Sequence, residues 1–489
     1  MGSSDIEGTF WIRPSTPVPA QTTFLPPGDQ VGQTIIIPRI ACFRRDESIL
    51  SEERFVEALK RAIADSIADF PHLCGKITWA DKATRRVQLE IPEDTTVQLV
   101  VKRQPHLTAD DLESKNWPPY MLKRAELTLS KYPTYGIDTY NFAVQANLIE
   151  GGVLLGIHMN HVHLDGIGHV MVEMVFAHHL SRAVDGKPYK PSGIINAAAL
   201  DKSLAWGSHP ARPILEWEDW RKAGPPLEQP EGMTHDEFWD MLIATCDDFR
   251  MSGWKFDKAA QEILRAEGQR PGGKKLSLAS CMHSFLWKVY VRARELEPQQ
   301  ETICFTPVQT RGRVKDLPQM WAGTALVYSR AKMTAKEVLE RHTGELGECI
   351  EAGTARWNEQ TIREFWGSIE ECPNLADVEP NVNRVRGPDV EFSNLSTFPF
   401  YRNSWGKGLM VKSWRVTELA FSDAYVVIAP RLNNGDIEVW LLATSDAHEN
   451  ILRDPDFRRL AQFVASNDPE MEAEVIKATP EQPAPKSKL

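Results

Sequence analysis

The sequence predicts a mixed α/β protein arranged in two lobes. Three observations carry that prediction: a hairpin running straight into a helix between residues 140 and 185, an amphipathic helix ahead of it, and a second set of helices and strands beyond a proline-rich connection. Along the chain, Pro14, Pro17, Pro19, Pro26 and Pro27 keep the first stretch extended until the β-branched run Ile35-Ile36-Ile37 reads as a strand. Ser51 then precedes Glu52 and Glu53, a capping residue followed by acids that suit a helix N-terminus, and Phe55, Leu59, Ile63 and Ile67 recur at helical spacing before Pro71. Residues 142–148 and 153–159 read as paired strands across Glu150-Gly151-Gly152. Ile167, Val170, Met171, Met174, Val175 and Leu180 then mark the apolar face of a helix.

Residues 185–235, with Pro210, Pro213, Pro225, Pro226 and Pro230, read as a long connection between lobes. Beyond it, 278–294 is expected as a helix, 301–307 as a strand, 335–349 as a helix, and 425–430 with 437–443 as a strand pair. The expected organisation is an N-terminal lobe over 1–205, a crossover over 206–235, a C-terminal lobe over 236–468 and a flexible tail over 469–489. The indoles Trp206, Trp217 and Trp220 read as lobe packing.

Composition narrows the function. The 489 residues carry a net charge of −11, which argues against nucleic acid as a partner, because phosphate neutralisation needs a concentrated cationic surface. A hydrophobic share of 42% with 25% charged residues suits a folded core. No apolar run approaches the roughly 18 residues of a spanning helix, so no membrane span is expected. Met1 to Glu7 lacks the cationic and apolar regions of a secretory signal, and an intracellular protein is expected. The seven cysteines are scattered, without a CxxC pair, and read as reduced thiols.

The densest chemical signal is His158-Met159-Asn160-His161-Val162-His163-Leu164-Asp165-Gly166, at the passage from strand to helix. It contains one HxxxDG pattern, His161, Asp165 and Gly166. A chain with this many histidines yields an HxxxDG match by chance only about 0.04 times at ordinary residue usage. The spacing suits a rigidly held base: an anchored aspartate fixes the turn, a glycine lets it tighten, and the histidine, with a side-chain pKa near neutrality, accepts a proton in a cleft.

Around this turn, Phe142-Ala143-Val144-Gln145, Gly151-Gly152, Leu154 and then His161, Asp165 and Gly166 resemble the core of the BAHD acyltransferases, the acyl-CoA-dependent family with fungal members related to trichothecene acetyltransferase. Phe70-Pro71-His72-Leu73-Cys74-Gly75-Lys76 is similar to the family's YPxLxGR segment. Residues 280–294, with Trp287 and Ala293-Arg294, are similar to its later Ser…Trp…AR helix, and Gln309-Thr310-Arg311-Gly312-Arg313 with Leu317-Pro318 to its DxRxR…P stretch. Phe398-Pro399-Phe400-Tyr401 and Ser404-Trp405-Gly406-Lys407-Gly408 resemble PxY…DFGWGKG. Two departures stand out. Arg402-Asn403-Ser404 replaces the usual Asp-Phe-Gly, which puts a family salt bridge in doubt, and Gln309 replaces the acid of DxRxR.

The resemblance implies two similar chloramphenicol-acetyltransferase-like lobes of mixed sheet plus helices, with a channel between them. It implies an acyltransferase moving an acyl group from CoA to a hydroxyl or amine of a small specialised metabolite or glycolipid, with acyl-CoA as co-substrate and no metal or other cofactor. His161 would be the general base. Asp165 would turn away from the cleft to pair with Arg311 or Arg313, and Gly166, Trp405 and Gly406 would support the site. Lys274, Lys275 and Ser277 lie where the family places groups near the CoA phosphates, and Asn394 and Ser396 are candidate channel or oxyanion donors. A monomer is expected.

Three rival readings share the same residues. His161-Val162-His163-Leu164-Asp165 also looks like the HxHxD of metal-dependent hydrolases, with His158 and His169 nearby, although Gly166 stands where that motif has a further histidine. A condensation-type catalyst using a carrier-protein thioester shares a related HHxxxDG turn, but Asn160 replaces its first histidine. A degenerate fold acting as a binding module is the third, opposed by the intact His161 and Asp165. Ser487-Lys488-Leu489 matches the peroxisomal SKL address, so an import receptor is an expected partner and the peroxisome the expected location, the cytoplasm otherwise.

Overall fold

The computed structural model describes residues 6–478 except 33, 34, 133, 136–138, 226, 228, 419 and 420. Two large mixed sheets, each backed by helices, form the two lobes. The first runs in the order Gly8–Ile12, Val97–Thr108, Phe142–Glu150, Gly152–Asn160, Ile35–Arg45, Leu409–Arg415, with Thr134–Tyr135 on the end of Ile35–Arg45. Its one parallel pair is Val97–Thr108 beside Phe142–Glu150, and its hairpin turns at Gly151, whose φ of +69° suits a residue without a Cβ. Both hairpin strands are buried almost throughout, which explains their near-continuous apolar sequence.

Helix Glu52–Asp69 is capped by the Ser51 hydroxyl, which accepts from the Arg54 amide, and packs with helix Gly166–Val184 on one face of this sheet. Phe55, Leu59, Ile63 and Ile67 are all buried in that shared core, as their spacing predicts.

The second sheet runs Leu326–Thr334, Glu301–Gln309, Val390–Asn394, Tyr425–Ile428, Ile437–Thr444, Phe249–Phe256, Gln462–Ser466. Its centre is parallel, Glu301–Gln309 beside Val390–Asn394 beside Tyr425–Ile428. Helix Leu278–Ala293 covers it, with Trp287 and Tyr290 fully buried.

The structure differs from the sequence expectations in three places. The helix expected over 335–349 is two helices, Ala335–Glu340 and Thr343–Ala355. His342 breaks the run because its Nδ1 accepts from the Gly344 amide and caps the second helix, and glycine fits at 344 because a Cβ there would fall 2.4 Å from the Gly268 carbonyl oxygen. The tail expected from 469 starts as helix Pro469–Ala478, with Met471 and Val475 in the second core; residues 479–489, including Ser487, Lys488 and Leu489, lie outside the described residues. Finally, the second lobe does not close on itself. Strand Leu409–Arg415 pairs with Ile35–Arg45 of the first sheet, and Leu395, Phe400, Tyr401, Trp405 and Trp414 fill the first core.

The crossover is packed rather than loose. Trp220–Lys222 pairs with Val378–Pro380, Trp217 stacks on Trp357 at 5.4 Å between centroids, and the Trp217 indole N–H donates to Ser368 at 2.9 Å. Trp206 stacks on Phe24 at 6.0 Å. All three indoles are packing residues.

Candidate active site

His161 is the first residue beyond strand Gly152–Asn160, and its amide still donates to the Ile35 carbonyl at 2.9 Å, the last bond of the ladder. Asn160 then folds the chain over: its Oδ1 accepts from the Val162 amide at 2.9 Å and its amide side chain donates to Thr139 at 3.1 Å. Three residues on, Asp165 caps helix Gly166–Val184, accepting from the amides of Ile167 and Gly168 at 3.0 and 3.1 Å. Strand end, Asx turn and helix cap thus fix both sides of His161 within five residues.

The same Asp165 carboxylate reaches into the second lobe. Arg311 grips it through both terminal nitrogens, at 2.6 and 3.0 Å, and the Ala325 amide donates to it at 3.1 Å. Burial by itself would push this carboxyl up, but the Arg311 charge and these hydrogen bonds outweigh it and hold the group below its usual range. Of the two candidate arginines, Arg311 makes the pair. Arg313 instead donates to the carbonyls of Thr354 and Trp357 and anchors a helix end. Gln309, standing at the family's acidic position, donates to Asp165 at 3.5 Å and accepts from Arg311, so an amide completes the network without adding a second negative charge beside Asp165.

His161 is the partly exposed member of a histidine cluster. His158, His163 and His169 are fully buried, and the His161 ring meets His169 edge to face at 5.0 Å. His161 Nδ1 is buried with no hydrogen-bond partner among the described residues, which leaves Nε2 as the nitrogen that is not sealed. Burial pushes its pKa down and the positive Arg39 adds to that, against the opposing pull of Asp165 and its own carbonyl. The ring is therefore a neutral imidazole at physiological pH, able to accept a proton. Gly166 lies where the lobes meet, since a Cβ there would approach the Phe398 ring to 3.2 Å.

The HxHxD residues do not converge. His163 turns toward His72, 6.0 Å between ring centroids, His161 toward His169, and Asp165 toward Arg311. Among the described residues no three metal-ligating side chains share a site. The donor directions of this turn suit a held base and not a chelate.

The remaining candidates scatter. Asn394 and Ser396, at the end of a second-lobe strand just before Phe398, are bound to each other: Asn394 Oδ1 accepts from the Ser396 amide and hydroxyl at 3.0 and 2.7 Å. The Ser396 proton is thereby committed, and the Asn394 amide group is the donor left over. Ser277 caps helix Leu278–Ala293, and its hydroxyl meets Ser280 at 2.7 Å, so it is a structural hydroxyl; Lys274 and Lys275 are exposed beside it. Trp405 packs edge-on against Phe43 at 5.0 Å in the first core, and Gly406 has a φ of +105° where a Cβ would fall 2.7 Å from that of Val184. Within the segment that replaces the family's Asp-Phe-Gly, Ser404 meets Ser181 hydroxyl to hydroxyl at 3.1 Å. A cleft of about 410 Å³ opens there, lined by Ser181, Arg182, Arg402 and Ser404, toward the far end of the helix from His161.

Sequence reasoning missed the buried ion pair Asp29–Lys202, 2.6 Å apart, and the buried pair Arg39–Glu173 at 2.7 Å. Neither stands in a recognisable motif, and Asp29 and Lys202 are 173 residues apart.

Known families and proteins match most of the chain. Residues 38–179 match the model of the trichothecene 3-O-acetyltransferase-like N-terminal domain, and residues 253–457 that of the transferase family. Acyltransferase easC of Emericella nidulans is 23% identical over 92% of this chain and 97% of its own. Eremophilane O-acetyltransferase prx11 of Penicillium rubens is 21% identical over 83% of this chain and 91% of its own. The structure of F. sporotrichioides TRI101 complexed with coenzyme A and T-2 superposes with a TM-score of 0.76 at 16% identity, covering 91% of this chain and all of that one, a likeness of fold. With both halves matched in order on either side of the crossover, the chain belongs to the BAHD-type family of acyl-CoA-dependent acyltransferases.

Proposed function

We propose that His161 is the general base of acyl transfer from acyl-CoA to a hydroxyl of a small specialised metabolite. The observation that carries the reading is the His161 imidazole held at a strand-to-helix turn, with Nδ1 buried and Nε2 open, at the meeting of the lobes. Names of relatives support the acceptor class, prx11 being an eremophilane O-acetyltransferase. His161 Nε2 takes the hydroxyl proton as the oxygen attacks the thioester carbonyl. The tetrahedral oxyanion collapses, the C–S bond breaks, and the imidazolium returns its proton to the departing thiolate, so that neither a covalent acyl-enzyme nor a metal is required. Asp165, tied to Arg311, holds the turn and takes no proton. A channel between the lobes would bring the two substrates to His161 from opposite sides, with Lys274 and Lys275 near the CoA phosphates.

The test is a panel of acyl-CoAs and hydroxylated metabolites incubated with the protein and with His161→Ala, following free thiol and acylated product by mass spectrometry. Acceptor-dependent CoA release that falls by about 10²–10⁴ in the variant supports the reading. Release that His161→Ala leaves intact overturns it.

We also infer import into peroxisomes. The support is the sequence Ser487-Lys488-Leu489 with which the chain as given closes. A fluorescent protein fused ahead of residues 470–489 should become punctate with a peroxisomal marker and stay diffuse without the last three residues; a diffuse signal from both overturns it.

A further inference from the structure

Residues 321–325 form a strap across the back of the catalytic turn, and two buried ion pairs clasp it. Three of its carbonyls go to cations: Trp321 and Gly323 accept from Arg311 Nη2 at 2.8 and 2.6 Å, and Ala322 accepts from Lys202 Nζ at 2.6 Å. Two of its amides go to anions: Thr324 donates to Asp29 at 2.5 Å and Ala325 to Asp165 at 3.1 Å. The Trp321 ring lies between the two cations, 4.8 Å from Lys202 Nζ and 5.8 Å from the Arg311 guanidinium carbon. Both pairs are almost wholly buried. A buried charge persists only when paired and hydrogen-bonded, and here the strap supplies what each pair lacks.

One side chain joins the strap to the reacting end. Thr324 Oγ1 donates to the Val162 carbonyl at 2.8 Å, and Val162 is the residue after His161. The approach is close all round: a Cβ on Gly28 would fall 2.0 Å from the Thr324 carbonyl oxygen, and one on Gly32 would fall 2.3 Å from that of Val162. Asp165 thus fixes the helix side of the turn, while Thr324 fixes the peptide next to His161.

We propose that Asp29 and Lys202 are positioning residues for the acyl transfer, acting through Thr324 and the Val162 carbonyl to hold His161 in register. The proposal rests on His161 being the base. The Asp29–Lys202 pair does not touch substrate; it sets the strap, the strap sets the Val162 peptide, and that peptide sets the line along which Nε2 meets the acceptor proton. General-base catalysis is steep in this distance, and a misplacement of about 1 Å costs on the order of 10²-fold. If the strap acts only through the line of His161, the loss should fall on kcat and spare KM.

The test is a kinetic cycle on the full chain. Thr324→Val keeps the shape of the side chain and removes the bond to Val162; Thr324→Ser keeps the bond. The first should lower kcat about tenfold or more with KM for acyl-CoA unchanged, and the second should restore it. Lys202→Met should lower kcat by more, and adding Thr324→Val to it should cost little further, because both act through one bond. If Lys202→Met does not fold, the Thr324 pair alone decides. Full kcat in Thr324→Val, an equal loss in Thr324→Ser, or additive losses in the double variant overturns the proposal. The His161 ring NMR signal separates this from the base assignment: Thr324→Val should shift or broaden it whether or not His161→Ala is active, and an unmoved ring signal overturns the positioning role.

Discussion

The Asp165 carboxylate and the Arg311 guanidinium meet at 2.6 Å with almost nothing of either exposed, and they come from different lobes. The turn that carries His161 is therefore held by a charge the other lobe provides. Asp165→Asn leaves that guanidinium buried against a neutral group. We expect a loss of about 3–5 kcal/mol in denaturant unfolding and a fall in activity at temperatures where the variant is folded. Arg311→Lys should behave alike, since an ammonium cannot span both carboxylate oxygens and two carbonyls.

The pH dependence of rate follows from the neutral His161. Its pKa lies below the ordinary 6.5, burial being the main cause. The rate needs the unprotonated ring, so kcat/KM should rise with pH through a midpoint below 6.5 and be level above it. A pH–rate profile with a midpoint above 6.5 would contradict the assignment.

Stability has its own pH dependence. Burial holds His72 and His158 neutral down to about 3, against 6.5 in the unfolded chain. Between these values the unfolded chain binds more protons than the folded one. The stabilisation from neutral burial is complete above 6.5 and is lost as the pH falls toward 3, by up to about 1.4 kcal/mol per group per pH unit. The thermal midpoint should fall steadily from pH 7 to pH 4. His72→Gln should flatten the curve.

Trp405 tests how far the second half of the chain supports the first. Its ring fills the core between Phe43, Phe176 and Phe400. Trp405→Ala should cost about 3–5 kcal/mol in chemical unfolding. Gly406→Ala, at φ +105° against Val184, should cost about 1–3 kcal/mol for backbone strain alone.

Lys274 and Lys275 are exposed on the loop before helix Leu278–Ala293. If they meet the CoA phosphates, Lys274→Glu with Lys275→Glu should raise KM for acyl-CoA severalfold at low salt, with kcat and acceptor KM unchanged, and the effect should shrink as salt rises.

What the sequence shows of this molecule is what its neighbours in sequence decide. Ser51, the helix Glu52–Asp69, the hairpin at Gly151 and the run from His161 to Gly166 are set by caps, periodicity and turn residues within a few positions, and each is where its pattern places it. The family resemblance narrows the partner of Asp165 to two arginines, but only the three-dimensional course of residues 309–325 separates Arg311 from Arg313. Asp29, Lys202 and Thr324 carry no local signal at all, because their meaning lies in contacts across more than a hundred residues. The break at His342 was hidden for a different reason: a histidine cap and a glycine approach override a continuous apolar period.

Strand Leu409–Arg415 crosses back to finish the first sheet after the chain has already left it, so the crossover is not the only thread between the halves. A protease nick within residues 206–235 would sever the backbone and still leave the particle in one piece, stitched by a sheet edge and by Trp405 and Trp414 in the opposite core. For the same reason a gene cut at the crossover would yield an N-terminal product with a raw, unpaired edge at Ile35–Arg45, prone to self-association until its complement arrives.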